Sequence, residues 1–166
     1  MRRRFAAFML FLWLVSGCAE ALEKRDLIFA FGENAFATGD AAGPLLAALQ
    51  DALGDPVVLE ADSCLFSGKD KEFDYGPIVV GTCPAGPGGS DAIEMIMVFA
   101  PDYPASRGIC VGMSREETAA AYGEGFSMDY DRMTYLPDGE TGPMLVFMLD
   151  LDSDTVTCYY LYRNSY

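Results

Sequence analysis

Apolar and polar positions follow two periods along the chain. Around Gly43–Asp55 the apolar residues Leu45, Leu46, Leu49 and Leu53 recur at helical spacing. Pro44 suits the first turn of such a helix, Gly54 a left-handed C-cap, and Pro56 blocks continuation. A second helix is predicted over Gly112–Glu124, where Ser114 and Glu117 form a capping box and Gly123 is the C-cap. After each helix the period drops to two. Strands are predicted at 57–61, 64–66, 72–75, 78–83 and 92–99 in the first half, and at 132–136, 144–151 and 156–162 in the second. Turn residues separate them, among them Gly76-Pro77, the Gly-rich 84–90, Pro137-Asp138-Gly139 and Asp152-Ser153-Asp154.

The helices align with one offset: Gly43 on Gly112, Leu53 on Tyr122, Gly54 on Gly123 and Asp55 on Glu124. The pattern predicts an α+β fold of two tandem repeats, each a short helix followed by an antiparallel β-meander. The first repeat spans 36–100 and the second 101–166. One face of each sheet is expected to pack on its helix, and neither half is expected to bury its apolar face alone.

The first 17 residues do not fit this scheme. Arg2, Arg3 and Arg4 precede an apolar run of 11 residues, Phe5–Val15. A membrane-spanning helix needs ~20 residues, so the run reads as the core of a signal peptide. Val15-Ser16-Gly17-Cys18 resembles the lipobox of bacterial lipoproteins. Small residues admit the backbone to a peptidase, and a free thiol accepts the diacylglycerol. Cys18 is therefore expected to carry lipid, residues 18–35 to act as a tether, and the chain to sit at the cell membrane on its extracytoplasmic face. No later segment is long and apolar enough to span a bilayer.

That compartment changes how the other cysteines read. Cys64, Cys83, Cys110 and Cys158 are an even set in an oxidising space, which predicts two disulfides with three possible connectivities. Pairing within each half, Cys64–Cys83 and Cys110–Cys158, is the expectation; free buried thiols are the alternative. Without C-x-x-C spacing or any His, a zinc site is disfavoured.

The 166-residue chain has a net charge of −14. The three leader arginines have no acid beside them, so the part from Cys18 on holds 8 Lys+Arg against 25 Asp+Glu, or −17. Such a surface repels phosphates, and nucleic acid is not an expected partner. The absence of His excludes Ser-His-Asp and Cys-His nucleophiles. No Ser-x-x-Lys motif occurs. The Asp150–Thr155 segment opens like a calcium loop but has Thr155 at the sixth position and Leu161 at the twelfth, so a hairpin turn is expected. No catalytic residue, cofactor or metal ligand is assigned. Aromatic residues crowd the second half, and Tyr130, Tyr135, Tyr159, Tyr160 and Tyr162 are the candidate recognition surface. Tyr159 and Tyr160 are adjacent, so they must point to opposite faces of a strand.

Arg107-Gly108-Ile109-Cys110-Val111-Gly112-Met113-Ser114, continuing to Tyr122-Gly123, resembles a signature of small secreted lipoproteins of anaerobic Gram-positive bacteria. Ser63-Cys64, Phe66, Gly68, Asp70-Lys71, Phe73, Tyr75, Ile78, Thr82, Pro84, Asp91 and Ile93 are similar to the same family's N-terminal repeat. The resemblance covers roughly residues 40–162. It implies tandem repeats of the beta-lactamase-inhibitor-like (BLIP-like) class, whose members work by contact, and it assigns no activity. Thr118 stands where the family has an aliphatic residue. Cys83 stands where it has an aromatic one, which favours pairing with Cys64. The expectation is a non-catalytic lipoprotein that contacts an envelope protein or ligand. An envelope enzyme or an enzyme inhibitor is the alternative.

Overall fold

The computed structural model describes residues 21–64, 66–86, 90–137 and 142–163. The proposed leader, Cys18 and Tyr166 lie outside the described residues. Among the described residues the fold is α+β, with two helices, a large antiparallel sheet and a small one.

The chain enters through a single 3-10 turn, Lys24–Asp26, and a hairpin of β1 (Phe29–Phe31) and β2 (Asn34–Phe36). Helix α1 (Ala42–Leu53) is followed by β3 (Val57–Asp62), β4 (Lys69–Asp74), β5 (Ile78–Pro84) and β6 (Asp91–Val98). Helix α2 (Arg115–Tyr122) is followed by β7 (Ser127–Asp129), β8 (Arg132–Tyr135), β9 (Pro143–Asp150) and β10 (Thr155–Arg163). The last eight strands form one antiparallel sheet in the order β3-β4-β5-β6-β10-β9-β8-β7. Strands β6 and β10 lie at its centre, with Val98 opposite Tyr159, Met97 opposite Tyr160 and Ile96 opposite Leu161.

The local details of the two halves correspond. Both helices end at a glycine with positive φ, 91° at Gly54 and 85° at Gly123, whose N–H donates to the carbonyl four residues back. A residue with a Cβ adopts that backbone only under strain. The first flanking residue of each helix bridges the start of its half's last strand, Ala41 to Ala92 and Ser114 to Thr155. Each last strand carries one extra residue, Glu94 against Gly81–Thr82 and Thr157 against Met148–Leu149, where the register shifts. Helix α2 is four residues shorter at its start, so Gly112 precedes it and does not match Gly43 in α1. The capping box holds, with Ser114 Oγ accepting from Glu117 N and Ser114 N donating to Glu117 Oε2.

Both helices and the β1–β2 hairpin cover one face of the sheet. Leu45 and Leu49 from α1, Ala119 and Tyr122 from α2, and Phe29 and Phe36 join Ile78, Val80, Ile96, Val98, Phe147 and Leu161 in one core. The stretch expected to be a tether from 18 to 35 therefore folds onto the body from Leu22 onward: Leu22, Leu27 and Phe29 are buried. Arg107 fixes it there. Its guanidinium donates to Asp26 Oδ2 at 2.6 Å and to Ala21 O and Ala121 O at 3.0 Å, and lies 5.1 Å from the Tyr122 ring centre. Composition alone pointed to a solvated linker because the segment is charged; the buried ion pair is what permits its packing.

Cys64 and Phe66 do not lie in the strand expected over 64–66, whose residue 65 is outside the described residues. Both stand in the loop between β3 and β4, where Ser63 N donates to Gly68 O. Strand β7 and the β1–β2 hairpin are each too short to produce a readable alternation.

Candidate recognition surface

Among the described residues no helix covers the other face of the sheet. Strand alternation fixes what it presents. On β6, Ile93, Ile96 and Val98 enter the core while Met95 and Met97 point away. On β9, Leu145, Phe147 and Leu149 enter the core, and Met144, Val146 and Met148 alternate with them. On β10, Val156, Tyr159 and Leu161 enter the core, and Cys158, Tyr160 and Tyr162 face out. The β6–β10 pairing sets Met97 opposite Tyr160 and Met95 opposite Tyr162. The result is a shallow, largely apolar groove of about 460 Å³ across β6, β10, β9 and β8.

This arrangement sorts the five candidate tyrosines. Tyr160 and Tyr162 line the groove. Tyr130 is exposed at the β7–β8 turn with φ 57°. Tyr135 and Tyr159 do not belong to a surface: each is 1% exposed and lies in the core. Tyr135 donates its hydroxyl to Gly123 O at 2.9 Å, and Tyr159 to Tyr103 O at 3.1 Å. Burial pushes both hydroxyls well above the usual phenol range. A tyrosine strand residue is legible in sequence, but which face is buried depends on register, which sequence does not supply.

The four cysteines Cys64, Cys83, Cys110 and Cys158 are free thiols, and no two are at disulfide distance. The expected pairs Cys64–Cys83 and Cys110–Cys158 are not formed. Cys110 stands in the loop before α2, whereas Cys158 is buried on β10 and faces the open side of the sheet. Burial, with the Asp131 charge adding to it, pushes the Cys158 thiol up to about 11. Cys64 is exposed in the β3–β4 loop, while Cys83 stands on β5 and is part-buried.

Beside the groove, towards the β3 edge, lies a second hollow of about 330 Å³ with Asp70, Glu72, Glu94 and Tyr162 in its lining. Burial raises Glu94 above its ordinary carboxylate value, and the Asp70 charge raises it further. Asp70 Oδ1 is buried with no hydrogen-bond partner among the described residues. The hollow therefore gives the apolar groove an acidic shoulder. On the opposite side, Arg132 reaches the groove and pairs with Asp129.

The acidic turn after β9 is a hairpin turn, as its place between two strands implies. Asp150 Oδ1 accepts from Asp152 N at 3.0 Å, Ser153 N at 2.9 Å and Ser153 Oγ at 3.0 Å, and these bonds hold its carboxyl below the usual range. Met95, Met97, Met148 and Arg132 escaped the sequence reading. A signal was present: Ile93–Phe99 is apolar at nearly every position, the pattern of a strand whose two faces are both apolar. No protein-family model, curated protein or solved structure matches the chain. Among the described residues no helix is long and apolar enough to cross a membrane.

Proposed function

We propose that this chain is a lipid-anchored extracytoplasmic lipoprotein that acts by contact rather than catalysis, with the open sheet face around Tyr160 and Tyr162 as its recognition surface. The observation that carries the contact role is the uncovered apolar face at the centre of the sheet. Sheets that bury one face usually present alternating polar residues on the other. Here Met95, Met97, Met144, Val146, Met148, Cys158, Tyr160 and Tyr162 stand outward on β6, β9 and β10, with Glu94 as the charged residue beside them. Contiguous apolar surface of this kind marks an interaction site. Aromatic and methionine side chains are the residues favoured at protein contacts.

We read the architecture as two tandem helix-plus-meander repeats. The reading rests on the paired glycine caps, the paired bridges from helix start to last strand, and the paired bulges. It also rests on the central register. With Ile96 matched to Tyr159 and Val98 to Leu161, the pairs Val98–Tyr159 and Ile96–Leu161 exchange under a two-fold axis through Met97 and Tyr160. That axis passes through the groove, so each half contributes to the surface. The BLIP-like resemblance is consistent with this reading.

Two measurements test it. Full-length protein should partition with membranes and detergent, and Cys18→Ser should release it to the aqueous phase. Equal partitioning of the variant would refute the anchor. A photo-crosslinking amino acid placed at Tyr160 or Tyr162 in the native envelope should yield a defined adduct. The same group at Gln50, on the exposed side of α1, should not. Equal labelling at all three sites would refute the surface.

A further inference from the structure

Sulfur is distributed unevenly between the two faces of β6, β9 and β10, whereas on β8 Met133 lies in the core. The core-facing positions of β6, β9 and β10 are Ile93, Ile96, Val98, Leu145, Phe147, Leu149, Val156, Tyr159 and Leu161, none with sulfur. The outward positions of the same strands hold Met95, Met97, Met144, Met148 and Cys158. A need for apolar volume alone would be met by the same aliphatic residues on both sides, since β-branched side chains suit strands better than methionine. What the outward set adds is soft donor atoms.

Three of these donors line one groove. Cys158 stands directly opposite Met148 in the β10–β9 pairing. Met97 faces Tyr160, two residues along β10 from Cys158, so it lies diagonally across from the thiol. Directly opposed side chains start about 5 Å apart and diagonal ones about 7–8 Å apart, within reach of a three-torsion thioether. All three line the groove, together with Met95. The nearest cation, Arg132, is engaged by Asp129.

We infer that Cys158, Met97 and Met148 form a binding site for a soft monovalent metal ion, Cu(I) or its mimic Ag(I), on the open face of the sheet. One thiolate with thioethers, lacking imidazole, selects Cu(I) over Zn(II), Mg(II) or Ca(II). Binding exchanges the S–H bond of Cys158 for an S–Cu bond and releases one proton to solvent; the copper keeps its oxidation state. Burial holds the free thiol protonated at neutral pH, so the metal must displace that proton. Met95 is adjacent and completes the sulfur lining. The inference does not depend on the lipid anchor or on a protein partner.

The test uses the full chain, detergent-solubilised and reduced, under anaerobic conditions. Cu(I) is supplied directly and competed with a chromogenic Cu(I) chelator. One Cu(I) per chain should resist the chelator, with sulfur-only scatterers in copper X-ray absorption. Met97→Leu and Met148→Leu, which conserve volume, should each weaken binding about tenfold or more. Cys158→Ser should abolish it. Cys64→Ser and Cys110→Ser should change nothing. Failure to retain copper overturns the inference. So does retention that is unaffected by the two leucine substitutions, or that is lost with Cys64 or Cys110.

Discussion

The two faces of the eight-stranded sheet are made by the same strands yet obey different rules. On the covered face every large side chain has a defined neighbour. Phe147 has its ring centre 5.5 Å from that of Tyr122, 6.0 Å from Tyr159 and 6.3 Å from Tyr135, and the three tyrosine hydroxyls all have partners. On the open face part-buried methionines and tyrosines surround the buried Val146 and Cys158, and no described helix lies above them. Stability is concentrated on the first face, which frees the second to be shaped by contact. The comparison separates residues that hold the fold from residues that use it, although they alternate along one strand.

The sharpest way to break this comparison is to truncate one residue on each face. Phe147→Ala should cost about 3–5 kcal/mol in chemical denaturation, because the aromatic cluster around it leaves a cavity. Tyr162→Ala, on the open face, should cost under about 1 kcal/mol. Equal losses would erase the distinction.

Next in size is the covered face's polar clamp. Arg107→Ala leaves Asp26 buried without its cation and should cost about 3 kcal/mol. Burial pushes Asp26 up, but the Arg107 hydrogen bond, the Glu23 backbone and the nearby charges outweigh it and lower its pKa. A carboxyl lowered in the folded state stabilises at pH above its ordinary value near 4 and loses that contribution as pH falls through the folded value. The wild type should therefore lose stability below about pH 4 more steeply than Arg107→Ala, as read by denaturant titrations across that range.

The smallest effect has the opposite sign. Glu94 on the open face is raised by burial and by Asp70. Its charged form is disfavoured in the folded state, so Glu94→Gln should raise Tm at pH 7, with the gain disappearing as pH approaches 4. A variant that melts earlier at pH 7 would show that the acidic shoulder has a partner.

Much of this architecture was legible in the sequence. The helix ends were, because proline, glycine and the Ser114–Glu117 pair act locally. The longer strands were, because alternation needs only a few residues to show. Three things were not. The β1–β2 hairpin is held by Phe29, Phe36 and the Arg107–Asp26 pair, contacts to residues far along the chain. The assignment of Tyr135 and Tyr159 to the core, against Tyr160 and Tyr162 outside, is a matter of register. The cysteine pairs followed from compartment and spacing, while the placement of Cys64 in a loop, Cys83 on β5, Cys110 before α2 and Cys158 on β10 leaves no trace in either. Among the candidate tyrosines, Tyr135 and Tyr159 are core residues, Tyr160 and Tyr162 line the groove, and Tyr130 is exposed at a turn.

The two edges of the large sheet are unequal. Strand β3 runs for 6 residues with Val57 at 66%, Val58 at 44% and Leu59 at 61% exposed, whereas β7 is only 3 residues long. A growing fibre needs two sticky ends on every unit, one to receive and one to offer. Among the described edges of the large sheet only β3 is long and apolar. Backbone pairing of two copies along β3 would therefore favour a closed two-fold pair over an extending fibre.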